Sequence, residues 1–423
     1  MRGPLLLLFL SLGLAAQTPT LIRAGRLLDP GDGRLLQDQG VLIREGRITA
    51  VGPWAQVAAS APAGVTRLDL SKDTLLPGLI DAHTHLLTND ESPNAYNDDL
   101  LKHSIPFRVL HAASLARMAL GFGFTTLRDV ETEGAQYADV DLKRAIEAGY
   151  VQGPRLFVST RGLAATGGYL PVGFAWDVTV PSGAQVVDGP DEIRKAVRTQ
   201  VARGADWIKA YTDFTFSRLK VEADGRLSSP LSFTPEELKA IVDETHRLGR
   251  RCAAHAYSWD AIDAALTAGF DSIEHGFGWD AALLDRAKRQ NVSWCPTRTA
   301  FAAHPAGPAV QAAMDRQAAA LRLAAQKGVC IANGSDAGAY DWRDNPAQEL
   351  KHLVAAGLTP LQALQAATTN AARLLKQEKE LGTLAPGAWA DLIAVPGDPL
   401  ADIALVMKVD FVMKAGVVIR QDR

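Results

Sequence analysis

Between residues 74 and 380, short apolar runs alternate with amphipathic stretches, and this rhythm narrows the possible folds more than any other feature of the chain. Eight runs read as buried strands: TLLPGLIDAHTHL, GFTTLRDV, PRLFVSTRG, ADWIKAYTD, RCAAHAYS, DSIEHGF, VSWCPT and VCIANGSDAG. The stretches between them, such as TPEELKAIVDETHRLG and SWDAIDAALTAG, have helical periodicity, open on Ser or Thr and stop at Gly. In the first of these, Thr234 stands at the N-cap, Pro235 at the first helical position and Glu237 three residues on, which predicts a capping box. Eight strand–helix units over roughly 300 residues predict an α/β chain whose centre is a (β/α)8, TIM-like barrel.

The two ends break this rhythm. TLIRAGRLLD, GVLIREGRITAVG and TRLDLS lie in residues 20–73, and LGTLAPGAWADLIAV and VDFVMKAGVVIRQ fill most of 381–423. All are strand-like and punctuated by Gly, Asp and Pro, so both termini are expected to pair into one small β-sandwich domain. The first residues read MRGPLLLLFLSLGLAAQTPT: a positive Arg2, an apolar core from Leu5 to Leu14, and small Gly13, Ala15 and Ala16. That pattern predicts a cleavable export signal over residues 1–16, with a retained anchor as the competing reading. The mature protein is expected to be soluble, without stable membrane insertion, and periplasmic or secreted.

A net charge of -3, without a basic stripe interleaved with aromatics, disfavours a nucleic-acid partner. Three cysteines, Cys252, Cys295 and Cys330, fall in predicted strands and match no zinc framework, so they read as small buried hydrophobes.

In such a barrel the chemistry belongs at the C-terminal ends of the strands. The first predicted strand ends DAHTHL, and residues two apart on a strand share a face, so His83 and His85 can point at one spot. The fourth ends at Lys209, the fifth at His255, the sixth at His275 and the eighth at Asp336. A lone histidine is more often a core or surface residue, but here four of the nine histidines fall at strand ends. The other five, His103, His111, His246, His304 and His352, lie in helix-like or loop segments and read as structural. Imidazoles with a carboxylate suit a divalent metal, zinc before manganese, cobalt or iron. Lys209 is the misfit, since an ammonium ion would repel that metal. A desolvated neutral amine can add carbon dioxide, and the resulting carbamate is a bidentate anion able to bridge two metals.

These residues resemble the amidohydrolase superfamily: LPGLIDAHTHL on the first strand, Lys209, His255, His275, Asp336 in GSDAG, and the late LQALQAATTNAARLL…LGTLAPGAWADLIAV. The likeness spans essentially the whole mature chain and points to exported dipeptidase, carboxypeptidase, prolidase-like and ochratoxinase-type members, more distantly to imidazolonepropionase. It implies two divalent ions, zinc foremost: one on His83, His85 and Asp336, the other on His255 and His275, with carboxylated Lys209 bridging both. It further implies that a metal-bridging hydroxide attacks a peptide or N-acyl amino acid amide. Asp336 would be general base and then general acid, with His275 also in the catalytic set.

Tyr211 and Tyr257 lie two residues beyond Lys209 and His255, on the same strand faces, and with Arg161 past the third strand they are candidates for holding substrate. Many relatives carry histidine in a Thr-Gly-Gly-His run where this chain has ATGGYLP, so Tyr169 takes that place. The long GGYLPVGFAWDVTVPSGAQVVDG segment is expected to cover part of the mouth, with Phe174 and Trp176 either as an apolar wall or packed on the barrel. Asp213 is expected to cap a loop. Three alternatives stay open on sequence alone: a one-metal cyclic-amide hydrolase, which Lys209 disfavours; a lactonase or phosphotriesterase on the same constellation; and, least favoured, a non-catalytic exported metal- or solute-binding protein. Whether the chain forms a homo-oligomer is not legible here.

Overall fold

The computed structural model describes residues 18–422 apart from 90, 93, 170, 172, 215–217 and 304–306. The expected export signal and His304 lie outside the described residues. Leu79–Thr84, Phe124–Asp129 and Arg155–Val158 pair in parallel, in that order. Trp207–Tyr211, Arg251–Ala256, Ser272–His275, Ser293–Cys295 and Cys330–Ile331 form a second parallel run. Backbone hydrogen bonds close the ring at both seams. Asp206 N–H donates to the Val158 carbonyl at 2.8 Å, and on the other side Ala82 N–H reaches Asn333 and Asp336 N–H reaches His83, each at 2.8 Å. The result is a TIM-like barrel of eight parallel strands.

The local signals hold where they were specific. Thr234 and Glu237 form the reciprocal capping box at the start of helix Pro235–Arg247. Gly204, Gly269 and Gly328 end their helices in the left-handed region, where a side chain would be strained. The fourth barrel strand, Trp207–Tyr211, is buried throughout, as a strand covered on both faces must be. The cysteines are free thiols on barrel strands, Cys252 and Cys295 fully buried.

Strands from both termini join, but the hydrogen bonds make one sheet where a sandwich of two was expected. Its order is Val417–Gln421, Phe411–Lys414, Leu392–Pro396, Thr66–Pro77, Thr20–Asp29, Arg34–Arg44 and Arg47–Pro53. The reason is Thr66–Pro77, which pairs parallel to Thr20–Asp29 on one side and antiparallel to Leu392–Pro396 on the other. Ile22, Leu27, Val41, Leu75, Leu392 and Phe411 form its core.

This sheet positions the site directly. Thr66–Pro77 passes through Gly78 into the first barrel strand, which carries His83 and His85. A Cβ on Gly78 would lie 2.1 Å from Thr125 Oγ1, so the junction has no room for a side chain. Among the described residues, no helix is long and apolar enough to cross a membrane.

Candidate active site

The six predicted residues line one cavity of about 330 Å³, although Lys209 lies mid-strand in Trp207–Tyr211 and Asp336 lies five residues past Cys330–Ile331, not at strand ends as expected. His83, His275 and Asp336 each offer a ligand atom, all within 4.8 Å of one another. His85 Nε2 lies 3.2 Å and His83 Nε2 3.5 Å from Asp336 Oδ1. The His255 and His275 rings are 4.5 Å apart, and Lys209, buried on the fourth strand, faces the same space.

Backbone strain helps to gather them. His275 and Asp336 have φ of 69° and 63°, a region few side-chain-bearing residues adopt. Adjacent strand residues normally face opposite ways, yet Glu274 and His275 both serve the site, and the turned backbone at His275 allows it. The chain also approaches closely here: a Cβ on Gly338, at φ 109°, would meet the His85 carbonyl oxygen at 2.4 Å.

The imidazoles are held from behind. His83 Nδ1 lies 2.7 Å from Glu274 Oε2, and Glu274 is paired with Arg128 at 2.8 Å, all three fully buried. His275 Nδ1 meets Thr297 Oγ1 at 2.8 Å. With Nδ1 bound to a carboxylate, His83 presents its lone pair on Nε2, and that buried atom has no hydrogen-bond partner. An orphaned imidazole nitrogen beside a carboxylate and three further histidines fits a divalent cation, so this donor set suits the metals the sequence implied.

The electrostatics agree. Burial pushes His83 down to about 4, against the pull of Asp336 and with Lys209 adding to the effect. Burial also holds His255 and His275 well below the usual histidine range. His85 goes the other way: burial opposes it, but the hydrogen bond and charge of Asp336 lift it to about 9. Asp336, despite burial, is kept well below the ordinary carboxylate range by His83 and His85. His83, His255 and His275 therefore offer neutral imidazole lone pairs beside a charged carboxylate, while His85 is held as that carboxylate's cationic partner.

Tyr169, Tyr211 and Tyr257 line the cavity, but Arg161 does not. Thr160, at φ 59°, turns the chain there, and Arg161 gives its carbonyl to the Gln200 side chain at 2.8 Å. Phe174 and Trp176 form no cavity wall either: they are 39% and 97% exposed. Tyr169 stacks on Tyr211 with ring centroids 4.3 Å apart and donates to Glu133 Oε2 at 3.0 Å. Asp213 caps the turn after His255, accepting the N–H groups of Tyr257 at 3.1 Å and Ser258 at 2.8 Å.

Sequence reasoning missed Glu131, Glu133, Glu274 and Arg128. The alternation in DVETEG, which puts Glu131 and Glu133 two apart just past the second strand, was the available signal for the first pair.

A family model described as the amidohydrolase family matches residues 74–419. The chain belongs to the amidohydrolase family. Ochratoxinase from Aspergillus niger is 32% identical over 91% of this chain and 82% of its own length. Its crystal structure superposes with a TM-score of 0.80, covering 96% of each chain. The crystal structure of a Xaa-Pro dipeptidase with methionine bound in its active site gives a TM-score of 0.82 at 30% identity, covering 95% of this chain and 99% of that one. Imidazolonepropionase from Symbiobacterium thermophilum is 25% identical over 88% of this chain and 89% of its own. As an amidohydrolase, the protein is a hydrolase acting on carbon–nitrogen bonds. Amidohydrolases generally use a binuclear metal centre, and in this amidohydrolase the His/Asp group described above can bind metal.

Proposed function

We propose that this amidohydrolase cleaves a peptide or N-acyl amino acid amide with two divalent ions, zinc foremost. His83, His85 and Asp336 would hold one ion and His255 and His275 the other, with Lys209 joining the two as a carbamate. The observation that carries this reading is the buried, partnerless Nε2 of His83 in a cavity shared with three more imidazoles, Asp336 and Lys209. Two bound ions would acidify water and polarise the scissile carbonyl.

The protein's own contribution is proton handling and orientation. Asp336, charged and 3.2 Å from His85, is placed to take a proton from the attacking water and return it to the leaving nitrogen. An amide nitrogen leaves poorly unprotonated, so that second transfer matters. Tyr257 lines the cavity with its ring centroid 4.3 Å from that of His255, so its hydroxyl would hydrogen-bond the substrate there. Ochratoxinase and the Xaa-Pro dipeptidase among the relatives favour an amide over an ester. Lys209 favours a two-ion centre over the one-ion cyclic-amide alternative.

Metal analysis of the purified protein should give close to two ions per chain, and mass spectrometry of the native holoenzyme should show the carbon dioxide adduct on Lys209. Asp336→Asn should retain metal and lose kcat by about 100-fold or more. Near-wild-type turnover in that variant would remove Asp336 from the reaction. Residues 1–16 extend the proposal to export, which the mature N-terminus of protein recovered from expressing cells would check.

A further inference from the structure

Among the described residues lining the cavity, Glu133 is the one charged side chain outside the six expected metal ligands. It is only 6% exposed. Tyr169 donates its hydroxyl to both Glu133 oxygens, at 3.1 and 3.0 Å. Tyr96 meets Tyr169 edge-on with centroids 5.9 Å apart, and Tyr211, stacked on the other side of Tyr169, donates to Glu131. One wall of the cavity thus combines tyrosines with the carboxylates their hydroxyls meet.

The nearby arginines do not reach Glu133's carboxylate. Arg108 gives its guanidinium to the carbonyls of Leu87, Thr132 and Glu133 at 2.8–3.0 Å. Arg161 lies outside the lining. His85 Nδ1 is 3.8 Å from Glu133 Oε1 and turned to the Glu131 carbonyl at 3.3 Å. Among the described lining residues, no arginine is available to receive a substrate carboxylate. A buried carboxylate at a cavity wall attracts a cation by charge and hydrogen bonding together.

We propose that Glu133, with Tyr169 and Tyr96, binds a protonated amine of the substrate, so that the preferred substrates are amides bearing a free α-amino group, not N-acylated amino acids. The inference rests on the amide hydrolysis proposed above and narrows its substrate class. The reach is suitable: a single imidazole, His85, separates Glu133 from Asp336, with contacts of 3.8 and 3.2 Å at its two ends. An α-ammonium group lies two bonds from the scissile carbonyl carbon.

The test compares L-phenylalanine p-nitroanilide with its N-acetyl derivative on the metal-loaded full chain. A charged hydrogen bond of this kind predicts kcat/KM about 10- to 100-fold higher for the free amine. Glu133→Gln should collapse the ratio toward one, and Glu133→Lys should turn the preference toward acylated substrates carrying a carboxylate. Equal rates, or faster cleavage of the acetylated substrate by wild type, would overturn the inference and leave amide hydrolysis standing. Cleavage of neither would count against amide hydrolysis itself. Calorimetry with L-phenylalaninol and 3-phenylpropanol decides the inference in that event: tighter binding of the amine, lost in Glu133→Gln, supports it, and equal binding overturns it.

Discussion

Glu274 is the residue on which fold stability and the proposed metal binding meet, and replacing it separates the two. Its carboxylate lies 2.7 Å from His83 Nδ1 and 2.8 Å from Arg128 Nη2, with all three side chains out of solvent. The buried carboxyl would ordinarily rise, yet Arg128 and His83 hold it far below the usual range, so it is charged at all working pH values. Glu274→Gln removes that charge and leaves Arg128 buried without a counter-ion, a change that costs about 3–5 kcal/mol. Arg128 keeps its bonds to Ser272 Oγ and the Ala82 carbonyl and its position 4.5 Å over the Trp207 ring, which favours the lower end. Even that is a large share of a typical total of about 5–15 kcal/mol. His83 at the same time loses its charged acceptor, and the single amide oxygen of Gln cannot replace both carboxylate oxygens that served His83 and Arg128, which predicts metal affinity about 10- to 100-fold weaker.

Two assays read the two effects: thermal unfolding of the metal-free protein, and zinc affinity by competition with a chromophoric chelator. The double variant Arg128→Met with Glu274→Met separates them. Replacing the whole pair by apolar groups of similar volume should restore most of the stability. It should leave zinc affinity low, because His83 still lacks its acceptor. If Glu274→Gln unfolds at the wild-type temperature, or if the double variant binds zinc like wild type, the reasoning from buried charge or from imidazole orientation fails.

Thr297→Val should weaken metal binding about 10- to 100-fold with little change in melting temperature, since His275 Nδ1 loses its 2.8 Å partner while packing is nearly conserved; unchanged zinc affinity would show that His275 needs no such support. Gly78→Ala should destabilise by about 1–3 kcal/mol, because its methyl would lie 2.1 Å from Thr125 Oγ1. A second change, Thr125→Gly, should recover much of the loss in thermal unfolding, and no recovery would rule out that clash. Lys414 is pushed down to about 8 by burial, with Arg155 adding to it, while an unfolded lysine keeps its proton to about 10.5. Between those values the unfolded chain holds more protons, so this group adds stability as pH rises from about 8 to 10.5. The stability of wild type relative to Lys414→Met should therefore increase over that window, and a flat difference in denaturant titrations would refute the sign.

That the six proposed ligand residues line one cavity was legible because a barrel places its chemistry at strand ends, and strand ends can be found from apolar runs and the glycines that follow. What supports those residues was not legible in the same way. Alternation on SIEH assigns only one of Glu274 and His275 to the site, and the left-handed backbone at His275 brings in both. Tyr211 ends the strand Trp207–Tyr211 and lines the cavity, whereas Arg161 lies three residues past Arg155–Val158, and the turn at Thr160 carries it out of the lining. Phe174 and Trp176 have the composition of a cavity wall, yet neither lines the cavity.

The sequence by itself determined the strand–helix period, the helix caps, the six candidate donors and the family, since all of these depend on neighbours a few residues apart or on residue type at strand ends. Tertiary structure alone decided that the terminal strands make one sheet through Thr66–Pro77, that Arg128 and Glu274 orient His83, and that the cavity wall is acidic and aromatic at Glu133 and Tyr169. These features join groups tens to hundreds of positions apart. Whether a buried charge is paired or orphaned depends on which side chain the closed barrel brings to it, and local periodicity carries no information about that partner.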